Sequence, residues 1–98
     1  MQHRRFFVDE LTASGQVFPR LGGNLLVVRR PESPQLDWEL VVRTRERHHV
    51  DQAPYDLLIA GPDRAFSGSA ILVRSDGRSH VFRGAGVLGG FADEDFSI

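Results

Sequence analysis

Residues 66–84 read FSGSAILVRSDGRSHVFRG, and the reading of this stretch decides the fold. Two apolar, strand-like runs, 66–74 and 78–84, flank Ser75-Asp76-Gly77. A tight turn between strands needs positive φ, which glycine adopts without a Cβ clash, so Asp-Gly between two such runs predicts a β-hairpin.

Outward from this hairpin, the same punctuation recurs. Residues 4–10 have an apolar centre with charged flanks and predict a strand. Thr12 to Gly15 predicts a turn, and Gln16-Val17-Phe18 a short return. Gly22-Gly23-Asn24 reads as a turn that launches the strand LLVVRR, 25–30, which Pro31 and Pro34 end because proline cannot donate to a ladder. Residues 36–47 could form a helix, but Val41, Val42 and Thr44 are β-branched, and a long strand is the preferred reading. YDLLIAG, 55–61, predicts a buried strand stopped by Gly61-Pro62-Asp63. Six or seven short strands with frequent turns, and at most one short helix, imply a single all-β domain over 1–98. Its architecture is a small antiparallel barrel or sandwich, with 92–98 a mobile or partner-docking tail. The expected core is Phe7, Leu26, Val28, Trp38, Leu40, Val42, Leu58, Ile71, Val73 and Phe82.

The hairpin also settles a false lead. Residues 84–89, GAGVLG, match the dinucleotide fingerprint G-x-G-x-x-G. That motif works only where its glycines end a first strand and open a helix whose N-terminus meets the pyrophosphate. Here Gly84 ends the second arm of a hairpin, and nine residues after Gly89 leave no room for a helix and a parallel strand. The glycines, with Gly68 and Ala70 on the opposing arm, instead read as a small-residue stripe. Such a stripe suits a tightly coiled barrel corner or, second, close approach of another chain.

Composition narrows the function classes. A net charge of -1 gives no general attraction to nucleic acid or anionic membranes. The chain has no cysteine, which excludes disulfides and thiolate metal sites. No apolar run suggests a signal peptide or a membrane helix, so a cytoplasmic location, or the inside of an assembly formed there, is the expectation. All twelve basic residues are arginine, which reflects codon bias or a use for bidentate guanidinium contacts.

Several constellations remain. Arg43, Arg45 and Arg47 alternate, so on a strand all three face one way and offer a cationic stripe, which Arg29 and Arg30 would extend if their strand is a neighbour. His48 and His49 would point to opposite faces of a strand and so do not suggest a shared metal ion. No nucleophile elbow occurs. The terminal segments carry opposite charge beside aromatic surface, His3-Arg4-Arg5 with Phe6-Phe7 and Asp93-Glu94-Asp95 between Phe91 and Phe96, which predicts contact between the two ends. The resulting expectation is a non-enzymatic protein-interaction or self-assembling module, without cofactor or metal, that binds a protein partner or itself through Arg43, Arg45, Arg47, Phe91 and Phe96. One rival is a small-molecule-binding or catalytic barrel with Trp38, Tyr55 and His80 at its mouth. A weaker one is a small nucleic-acid-binding barrel that uses the arginine stripe.

Overall fold

The computed structural model describes residues 1–19 and 21–97. Eight strands follow in chain order: β1 (Gln2–Val8), β2 (Glu10–Ala13), β3 (Gln16–Val17), β4 (Leu21–Arg29), β5 (Leu36–Thr44), β6 (Pro54–Ala60), β7 (Ala65–Ser75) and β8 (Ser79–Gly84). One 3-10 turn, Asp93–Ser97, follows them. All eight strands join one antiparallel sheet in the order β1-β4-β5-β8-β7-β6-β2-β3. The expected all-β fold with at most one short helix holds, with one or two more strands than the turn signals implied.

The sheet is not closed, yet a single run of chain touches both of its flanks. Only Asp9 separates β1 from β2. Val8 still pairs with Gly23 of β4, whereas the Asp9 amide already donates to the Ala60 carbonyl of β6 at 3.0 Å. This change of partner curls the sheet around one interior, filled by Leu11, Leu25, Leu40, Leu57, Leu72 and Phe82.

The hairpin forms as read. Ser75 pairs with His80, Gly77 has φ 96, and Asp76 Oδ1 accepts from the amides of Arg78 and Ser79 at 3.1 and 2.7 Å. Those bonds favour the ionised carboxylate and hold the Asp76 pKa below its usual value. A second tight turn, Ser14-Gly15, has both residues at positive φ and joins β2 to β3.

Several expectations need correction. Gly22-Gly23-Asn24 is not a turn but the first half of β4. Gly23 is required there because a Cβ would collide with the carbonyl oxygen of Val41 in the paired strand. The strand expected over 36–47 ends at Thr44, whose hydroxyl donates to the Glu46 carbonyl at 2.6 Å as the chain bends away. The face assignment fails in four strands. Trp38, Leu40, Val42 and Phe82 are buried as expected, but Phe7, Leu58, Ile71 and Val73 are exposed, and Val8, Leu57, Ala70 and Leu72 take their places inside. In β4, Leu25 and Val27 are buried while Leu26 and Val28 are only half-buried. Each of these strands carries apolar residues on both faces, so alternation alone cannot orient it.

The small-residue stripe has a different cause from the one expected. Trp38 points inward, and its indole occupies the space beside Gly68 and Gly84. A Cβ on Gly68 would come within 2.8 Å of Trp38 Cζ2, and one on Gly84 would overlap the indole outright. The chain beyond β8 then lies along β7. The Ala85 amide donates to Ser69, and Ser67 and Gly89 exchange two backbone bonds of 3.0 and 2.7 Å. Trp38 Nε1 donates to the Gly86 carbonyl at 3.0 Å, so the glycine-rich segment seals one end of the interior over the indole.

Candidate interaction surface

The outer face of the sheet presents a second set of side chains in rows set by the strand register. Strand register places Phe7, Asn24, Val41 and Val81 in one row across β1, β4, β5 and β8, with Val73 and Arg74 opposite Val81 on β7. The adjacent row reads Arg5, Leu26, Glu39, Arg83 and Ile71. A bulge at Val73 inserts one extra residue in β7, which leaves Val73 outside and returns Ser75 to the inner side opposite His80. Phe7 is 56% exposed and Ile71 45%, while Leu26, Val41 and Val81 are half-buried.

The charges around this apolar band come mainly from β5. Its outward residues are Asp37, Glu39, Val41 and Arg43, followed by exposed Arg45 just past the strand end. Asp37 lies 3.5 Å from Arg30, and Glu39 3.9 Å from Arg83, both as exposed pairs. Arg43 and Arg45 make no ion pair among the described residues.

Of the residues singled out from sequence, Arg43 and Arg45 border this face. Arg47 does not continue the stripe, because the chain has left the strand; its guanidinium reaches over Gly77 and donates to the Asp76 carbonyl at 3.4 Å. Arg29 and Arg30 do not extend it either. Antiparallel pairing sets Arg29 opposite Leu36 and Gly22 opposite Arg43, so the two arginine groups sit at opposite ends of the sheet.

Phe91 and Phe96 belong to a separate cluster that ties the end of the chain to its beginning. Phe91 meets Phe6 edge-on at 6.0 Å and Phe96 at 5.0 Å. Phe6 also contacts Phe66 at 4.9 Å. The charge partners are not the Arg4-Arg5 pair that the sequence suggested. Arg64 grips Asp95 with two bonds of 2.8 and 2.9 Å while lying 5.0 Å over both Phe6 and Phe66. Arg29 pairs with Asp93 and stacks on Phe96. The Arg64 guanidinium, then the Ala92 amide, hold the Asp95 pKa below its usual value. Part of the all-arginine usage therefore serves a guanidinium role, since a planar fork can bind a carboxylate and stack on a ring at once.

At the far end of the interior lies a histidine pair that sequence reasoning did not join. His80 is fully buried, and its Nδ1 lies 2.8 Å from Ser75 Oγ. Its Nε2 has no hydrogen-bond partner among the described residues. The His48 ring is 6.4 Å away, and Phe18 packs against both rings. Burial, then the neighbouring His48, pushes the His80 pKa down, with Asp76 opposing weakly. A serine–histidine pair does general-base chemistry when a third group orients the imidazole through its other nitrogen. Here that nitrogen is buried, and no such orienting group meets it among the described residues. His49 turns away to Asp51 at 2.8 Å. Of the other residues named for a barrel mouth, Trp38 lies under the glycine-rich segment, and Tyr55 packs against Phe82 at 6.0 Å and donates to the Asp51 carbonyl at 2.6 Å.

The chain matches no family model, no curated protein and no solved structure. No helix among the described residues is long and apolar enough to cross a membrane.

Proposed function

We propose that the chain is a non-enzymatic protein-interaction module that docks onto a protein surface through the outer face of β4, β5 and β8. One observation carries this reading: the outward pair Val41 and Val81, with Leu26 and Ile71 in the adjacent row and charges of both signs around them. Apolar side chains set among charges of both signs suit a recognition surface, because burying them against a partner contributes about 25 cal/mol per Å² while the charges fix orientation. The anatomy fits a docking surface better than a catalytic one. It is spread across the outer face of adjacent strands, and its polar groups are mainly charged side chains rather than a nucleophile beside a base.

Site-specific photo-crosslinking in cells producing the full chain tests the proposal. A photoreactive residue replacing Val81 is expected to give a discrete protein adduct, and the same residue replacing Asp56, on the outer surface of β6, is not. Absence of any adduct from Val81, or equal labelling from both positions, counts against the module.

A further inference from the structure

We propose that the partner for this face is a second copy of the same chain, docked face to face with its β5 antiparallel to the first. The inference rests on the interaction-module reading and supplies the partner. It follows from the order of outward residues on β5, in which Asp37 and Glu39 precede Val41, and Arg43 and Arg45 follow it. The strand is therefore charge-complementary to itself when reversed about Val41.

The geometry is that of a two-fold axis in the plane between two stacked sheets, perpendicular to the strands at the level of Val41. Rotation about it lays the row of Val41 and Val81 on its own copy. It also brings the row Gly22, Arg43, Ser79 over the partner row Leu26, Glu39, Arg83, because these rows flank Val41 at equal spacing. Arg43 then faces Glu39 of the other copy on the strand nearest the axis. The half-buried Leu26 faces Gly22, where even a Cβ would meet nothing within 4 Å, so a large side chain meets a vacancy. Arg83 faces the hydroxyl of Ser79. The opposite choice, an axis parallel to the strands, would set Arg43 against Arg43 and Glu39 against Glu39, and like charges brought together at an interface are strongly disfavoured. Face-to-face sheets pack about 10 Å apart, with strands aligned to within about 30°. Both curl away from each other, so contact concentrates on the three strands that carry the complementary rows. An isologous contact of this kind closes on itself and yields a dimer rather than a fibre.

Charge reversal isolates the register. Sedimentation equilibrium of the full chain across the micromolar range is expected to show a monomer–dimer equilibrium. Glu39→Arg makes the outward strand basic around Val41, and Arg43→Glu makes it acidic; each alone is expected to weaken self-association by about tenfold or more. Mixed in equal amounts, the two variants are expected to form a heterodimer, and the double variant, in which the charges at 39 and 43 are exchanged and still face each other across the axis, to regain self-association. Circular dichroism verifies that each variant is folded. Should Glu39→Arg fail that check, Gly22→Arg replaces it, since the added side chain has open space within the monomer and collides with Leu26 only in the dimer. A wild-type chain that stays monomeric overturns the self-docking. In that event a foreign adduct from the Val81 crosslinker leaves the interaction module standing, and no adduct removes both. A dimer that neither charge reversal nor Gly22→Arg weakens also overturns the proposal.

Discussion

Trp38 and Gly84 occupy one space: the indole fills the volume that a Cβ on Gly84 would need. Residue 84 must therefore be glycine for a reason that concerns a side chain rather than a nucleotide or a turn. Gly84→Ala is expected to destabilise the fold by about 1–3 kcal/mol through overpacking. Gly86→Ala, two residues on, meets nothing within 4 Å and is expected to change stability by less than about 0.5 kcal/mol. Combining Gly84→Ala with Trp38→Leu should be less harmful than the sum of the two changes, because the second removes the ring that the first strikes. Denaturant unfolding of the wild type, the three single variants and the double variant checks this.

Adjacent leucines on β6 provide a direct test of which face is the core. Leu57 is 1% exposed and Leu58 62%. Leu57→Ala is expected to cost about 2–5 kcal/mol, and Leu58→Ala less than about 0.5 kcal/mol. Equal losses would mean that β6 is not oriented as described.

Acid sensitivity should come in two separate ranges. The buried His80 has a folded pKa below its ordinary 6.5, so the unfolded chain binds the proton more readily. Its contribution to stability is complete above about pH 6.5 and declines as pH falls from there toward the folded pKa. Urea midpoints measured between neutral and mildly acidic pH should show this decline, and His80→Leu should flatten it. Asp95 and Asp76 act lower. Both have pKa values depressed below 3.8, so their stabilisation is present above that value and is lost as pH falls through the folded pKa.

Closure of the chain ends depends on aromatic contact more than on charge. Phe6→Leu removes the rings' contacts with Phe91 and Phe66 and is expected to cost about 0.5–1.5 kcal/mol for each aromatic pair. Arg64→Leu leaves Asp95 without its bidentate partner and the Gly90 carbonyl without its donor. Hydrogen exchange of the amides in 91–97 should then accelerate ahead of the amides in β5 and β8, which marks local rather than global opening.

The sequence by itself determined the fold class, because strand and turn chemistry is local. Asp76-Gly77 with Gly77 at positive φ, Ser14-Gly15, and the prolines after β4 mark where strands end, whatever the strands later touch. It also carried the alternation of Arg43 and Arg45, since alternation on one strand is readable wherever one of its faces is polar. The tertiary structure alone decided which face of β1, β4, β6 and β7 turned inward, because those strands are apolar on both sides and only closure around a common interior selects one. It decided that Arg47 leaves the stripe, and that antiparallel pairing carries Arg29 and Arg30 to the far end of the sheet. It decided the meaning of the glycines too. The requirement for Gly68 and Gly84 comes from Trp38, tens of residues earlier in the chain, and steric exclusion between distant residues has no local signature.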